Sequence, residues 1–150
     1  MAHKAELLTA MQIARSELEA IVAGFAGDLE QDAGDGWRRQ DVLAHIALWE
    51  RMAARKIAGT PLPDGEDIAA QQPWDLDRFN DTMIKRWRGR TAEQVLAEFA
   101  AAHASLVAAV EGADDAACAP GGRVWTAIDE DGAGHYTNHF PVTDVLAAQR

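Results

Sequence analysis

Apolar residues recur at alternating steps of four and three along most of this chain, a spacing that gathers them on one face only if the backbone is α-helical. Over residues 2–26 the series is Leu7, Met11, Ala14, Leu18, Ile21 and Phe25. It predicts one long helix, stopped by the Asp- and Gly-rich stretch 27–36, which reads as a loop before Trp37. A second helix is expected over 39–58, with Val42, Ile46, Trp49, Ala53 and Ile57 inward and Gly59 ending it. Thr91 and Gln94 form a capping-box pattern, and Val95, Phe99, His103, Leu106 and Val110 follow as the stripe of a third long helix. The pattern weakens between Gly59 and Arg90, where Pro61, Pro63 and Pro73 mark an extended crossover before a short helix over 76–87. After a loop at 112–123, a last, shorter helix carries His135, Tyr136 and His139 until Pro141 kinks or restarts it.

Four stripes, with no alternating pattern of useful length for a strand, predict an all-α four-helix bundle closed around one core. The long crossover between the second and third long helices leaves them free to lie parallel, although local pattern does not choose between parallel and antiparallel. No internal repeat is present, and 150 residues fit a single domain spanning 1–150.

Charge and cysteine content narrow the function classes. Asp and Glu number 24 against 14 Lys and Arg, and the net charge of −10 repels a phosphate backbone, so no nucleic-acid partner is expected. Lys85, Arg86, Arg88 and Arg90 cluster where the short helix ends, where cations complement the helix dipole, and read as a solvated helix end. Charged residues interrupt every hydrophobic run, so no membrane span is expected. The single Cys118 has no disulfide partner within the chain, and no export leader is evident, which makes the cytoplasm the expected compartment.

The chemistry-bearing residues are the histidines. His45 lies three after Val42 and four before Trp49, so it shares their inward face. His135 and His139 are four apart and project from one side of a helix. Two imidazoles so spaced can ligate one divalent ion, and a third from another helix would leave coordination positions open for water, a thiolate or a carbonyl. No Glu follows the first histidine of the pair, unlike the zinc-protease helix motif. The plainer reading of His45 is a core histidine bonded to a carbonyl or carboxylate. His103, on the stripe of the third helix, reads as a buried polar partner or a donor to a ligand. His3 sits near the start of the first helix with no evident role.

These residues resemble a known superfamily. The segment Asp41-Val42-Leu43-Ala44-His45-Ile46, with Trp37 before it and Trp49 after it, is similar to the second-helix signature of DinB-like proteins. Phe79-Asn80, Val95-Leu96, Phe99, His103 and the closing His135-Tyr136 with His139 resemble the branch that includes the colibactin self-resistance protein ClbS. The resemblance implies a four-helix bundle, often a homodimer, in which one histidine of the second helix and two residues of the fourth hold a zinc- or nickel-like ion. Those positions are matched here by His45, His135 and His139. It also implies a small-molecule substrate and either a divalent-metal-dependent hydrolase or a transferase using a low-molecular-weight thiol. Trp49, Trp125, Tyr136 and His103 are then the expected substrate-binding residues. Two rival functions stand beside this one: a metal-free binding or self-protection protein with an aromatic pocket, and a helical dimerisation module whose histidines are structural.

Overall fold

The computed structural model describes residues 2–60 and 76–150. The expected crossover prolines at 61, 63 and 73 lie outside the described residues. Six α-helices are found among the described residues: α1 (Ala2–Gly24), α2 (Arg39–Ala58), α3 (Leu76–Trp87), α4 (Ala92–Glu111), α5 (Arg123–Asp131) and α6 (Ala133–Tyr136). The fold is the all-α, DinB-like bundle anticipated above, with α1, α2, α4 and the α5–α6 pair as its four arms.

Local chemistry sets the helix ends. Asp41, in the first turn of α2, accepts from the Arg38 backbone N–H at 2.8 Å and from the Arg38 guanidinium at 3.1 Å. It thereby satisfies a donor that the helix leaves unpaired and places an anion at the positive end of the dipole. At the other end Gly59 adopts φ 72°, the left-handed cap that glycine takes without a Cβ penalty, and its N–H reaches the Arg55 carbonyl. On α4 the capping box is complete, with Gln94 N–H bonded to Thr91 Oγ1 at 3.1 Å and Thr91 N–H to Gln94 Oε1 at 2.9 Å.

Helix directions follow from which residues meet. Gln40 bonds the Arg90 carbonyl near the start of both α2 and α4, Glu50 meets His103, and Arg51 reaches Ser105, so α2 and α4 run parallel. Lys4 bonds the Glu111 carbonyl while Arg15 bonds that of Phe99, so α1 runs against α4. Lys56 pairs with Asp131 whereas His45 meets His135 further on, so the α5–α6 arm also opposes α2. The parallel pair therefore lies between two arms of opposite direction. The long crossover and α3 are what permit this, because two parallel helices cannot be joined by a tight turn.

Helix α2 is the central element. Every residue from Gln40 to Glu50 is buried, so this helix is enclosed on all sides and not along one stripe alone. The main core joins Leu7, Met11 and Leu18 of α1 to Leu43 and Ile46 of α2, Phe99 and Leu106 of α4, and Ile128 of α5. A second cluster seats Met83 of α3 on Leu48, Trp49 and Met52 of α2.

Two regions differ from the sequence expectation. The stretch read as a loop contains a small antiparallel hairpin, β1 (Asp32–Gly34) with β2 (Trp37–Arg38), turned by Asp35 and Gly36 at φ 55° and 78°. Both turn residues lie in the left-handed region, as a two-residue turn of the type favoured by Asp-Gly requires. The last arm is also in two pieces: α5 stops at Asp131, Gly132 takes φ −111° and ψ −124°, and α6 restarts for a single turn.

Candidate functional site

Each of the three histidines is placed by a different local device. His45 sits two turns into enclosed α2 and is 3 % exposed. His135 sits in α6, directly after the break at Gly132, and is 9 % exposed. His139 follows α6, where the Tyr136 carbonyl accepts both the His139 N–H at 3.0 Å and the Phe140 N–H at 2.9 Å. One more helical turn thus continues past α6 and carries the third ring to the second.

The three rings converge edge to face, with centroids 4.9, 4.8 and 4.7 Å apart. His135 Nε2 is 3.2 Å from His45 Nε2 and 3.0 Å from His139 Nε2. Hydrogen bonding alone does not account for this meeting. A neutral ring nitrogen either donates one proton or offers one lone pair, so His135 Nε2 can make one good bond and not two. A shared cation satisfies all three lone pairs at once. Nitrogens about 2.0 to 2.1 Å from a common ion lie about 2.8 to 3.4 Å from each other, depending on octahedral or tetrahedral angles. The two observed separations fall within that span, and the three donor atoms all lie within 4.8 Å of one another.

The electrostatics suit a cation as well. Burial, reinforced by the neighbouring rings, lowers the His45 pKa to about 3 and that of His135 to about 4. Burial also pulls His139 below its usual value. All three therefore stay neutral at physiological pH, the state in which imidazole is a ligand. The Nδ1 atoms of His45 and His135 are buried and have no protein hydrogen-bond partner among the described residues.

A cleft of about 620 Å³ opens above the rings. His45 and His139 line it, together with Trp37 and Asp35 from the hairpin, Asn80 and Asp81 from α3, and Asn138 and Phe140 from the last arm. Trp37 packs edge-on against His45 at 5.1 Å between centroids. The hairpin missed in the sequence reading is thus one wall of the cleft, and the Asp35-Gly36 dipeptide was the signal for it.

The expected substrate-binding residues are distributed otherwise. Trp49 is close to the centre, its ring 6.3 Å from those of His45 and His135, but it is 8 % exposed, and its Nε1 donates to Asn80 Oδ1 at 3.1 Å. Trp125 lies apart, donating to Gln149 Oε1 at 2.6 Å. Tyr136 and His103 join a buried network behind the histidines. Glu50, fully buried, accepts from Arg15 Nη1 at 3.0 Å, from the Tyr136 hydroxyl at 3.0 Å and from His103 Nδ1 at 2.9 Å. Burial and the Glu50 carboxylate push the Tyr136 pKa far up, so its hydroxyl keeps its proton and donates. Sequence reasoning found two members of this network and missed Arg15 and Glu50. The signal was available: Arg15 is four residues after Met11 and Glu50 four after Ile46, so both are charges standing within apolar stripes.

A family model described as the mycothiol maleylpyruvate isomerase N-terminal domain matches residues 13–138. No curated protein matches the chain, and no solved structure does.

Proposed function

Because the chain belongs to the mycothiol maleylpyruvate isomerase N-terminal domain family, one of the DinB-like families, we propose that it is a metal-dependent enzyme that brings a low-molecular-weight thiol of the mycothiol class to a small electrophilic substrate. The observation that carries the reading is the convergence of His45, His135 and His139 through their Nε2 atoms beneath an open cleft. A divalent zinc- or nickel-class ion held by these three rings would supply Lewis-acid chemistry, lowering the pKa of a thiol or water at its open positions.

The chain's own residues would do the rest. The neutral histidines leave the charge of the ion uncompensated, so an anionic thiolate is favoured over the neutral thiol. Trp37, Val42 and Phe140 line the cleft with apolar surface and limit water. Asn80 and Asn138 offer amide donors and acceptors to orient a polar ligand. Trp49, fixed by Asn80, backs the centre, while Tyr136 and His103 belong to its support. Hydrolysis by the same centre is the neighbouring possibility within this class. The reading carries with it a cytoplasmic location, where thiols are kept reduced, and a homodimeric assembly.

Metal analysis of the purified protein tests it. One zinc or nickel ion per chain is expected, with His45→Ala, His135→Ala and His139→Ala each lowering affinity at least tenfold and His103→Ala leaving one ion bound. Protein that takes up no ion from a zinc-containing buffer would overturn the reading. With the ion bound, conjugation of a mycothiol-class thiol to a fluorogenic electrophile should be faster than in the chelated protein.

The aromatic walls of the cleft favour a second reading, a metal-free protein that binds and shields a reactive small molecule in the manner of the ClbS branch. Quenching of Trp fluorescence by such a ligand would survive chelation on this reading and be abolished on the first.

A further inference from the structure

Metal-ligating histidines are ordinarily oriented by a hydrogen bond from the ring nitrogen that does not face the ion. Here the Nδ1 atoms of His45 and His135 have no such protein partner among the described residues. Something else must fix these rings, and the buried network behind them has the geometry to do so. Glu50 lies five residues after His45 on the same helix, and Tyr136 is the residue next to His135. The Tyr136 hydroxyl donates to Glu50 Oε2 at 3.0 Å, so one bond ties the segment carrying His135 to the helix carrying His45.

The remainder of the network holds that bond in place. Arg15 of α1 donates to Glu50 Oε1 at 3.0 Å and to the Phe99 carbonyl at 3.0 Å, and its guanidinium lies 3.7 Å from the centre of the Phe99 ring. His103 of α4 donates to Glu50 Oε2 at 2.9 Å. Glu50 is thus restrained from three other elements and cannot turn without breaking bonds in a buried site.

Energetics point the same way. A buried ion pair gains little over well-packed apolar side chains of equal volume, because desolvating the charges offsets their attraction. Directionality is what such a network adds, since apolar packing tolerates small rotations and hydrogen bonds do not. Helix α6 has particular need of it, being a single turn that restarts after the break at Gly132.

We infer that Glu50 and Tyr136 are positioning residues of the histidine centre, replacing the missing ring-to-partner hydrogen bonds with one anchor set a residue along the chain. The inference rests on the proposed metal reading for its consequence and on the metal-free protein for its geometry, so the two can fail separately.

Tyr136→Phe deletes one hydroxyl and keeps the packing. Glu50→Gln keeps one acceptor oxygen but removes the charge facing Arg15 and turns an amide N–H toward a donor, so it should weaken the ring contacts at least as much, with a loss of stability that Tyr136→Phe avoids. Two readouts apply. In metal-free protein, NMR contacts between the rings of His45, His135 and His139 should weaken in Tyr136→Phe while helix content is unchanged. In zinc competition against a chelator, affinity should fall about ten- to hundredfold, with a changed visible spectrum for the cobalt-substituted protein. Arg51→Ala, which breaks the Arg51–Glu98–Ser105 set away from the centre, should alter neither. Wild-type ring contacts in both variants would overturn the inference whether or not the protein binds metal. Ring contacts weakened in the variants, together with a wild type that takes up no ion, would uphold the positioning role while the metal reading falls.

Discussion

Holding His45 and His135 neutral makes the metal-free protein sensitive to acid. Both pKa values lie below the ordinary 6.5, at about 3 and about 4, so between those limits the unfolded chain binds protons that the native state refuses. Stability is therefore complete above about pH 6.5 and is lost as pH falls toward 4, by up to about 1.4 kcal/mol per pH unit for each ring. Urea denaturation of chelated protein at pH 7, 6 and 5 should show this slope, and His45→Gln should flatten it. A slope unchanged by that substitution would mean that other groups set the acid limit. At this scale the sequence revealed that His45 faces inward and that His135 shares one side with His139, since helical spacing assigns a face. The family resemblance grouped His45 and His135 with His139, but nothing revealed that Glu50 would claim His103, because spacing says nothing about the partner across a helix interface.

Among the elements, the last arm is the one most tightly constrained. A Cβ on Gly134 would lie 2.6 Å from the Asp129 carbonyl carbon, so α6 packs back on the end of α5 more closely than any other residue allows. Gly134→Ala should destabilise the protein by about 2 to 3 kcal/mol in urea denaturation and displace His135, lowering zinc affinity as well. The reference is Thr91→Ala, which removes an exposed cap from α4 and should cost about 1 kcal/mol with no effect on the metal. The ends of α2, α3 and α4 were legible because capping residues and glycine act locally. The break at Gly132 was not, since glycine within a helical pattern is usually tolerated, and what breaks the helix here is the close packing of α5 on α6.

Across the whole molecule, the buried network links α1, α2, α4 and α6 through one carboxylate. Replacing Arg15 by Met would leave Glu50 buried without its cation, at a cost of about 3 to 5 kcal/mol. Changing Arg15 and Glu50 together, to Met and Leu, should recover much of that loss while still disturbing the histidines. Thermal melts read with zinc competition separate the two effects, and a double variant with normal zinc affinity would remove the positioning role. By itself the sequence determined which segments are helical and which side chains face inward, because both depend on the residues within a few positions of each other. Only the tertiary structure decided that α2 and α4 are parallel, that a hairpin walls the cleft, and how closely the three histidines named by the family resemblance meet. The helix directions and the meeting of the rings depend on contacts between residues as distant in the chain as His45 and His139, which no local pattern records, whereas the hairpin turn at Asp35-Gly36 is local.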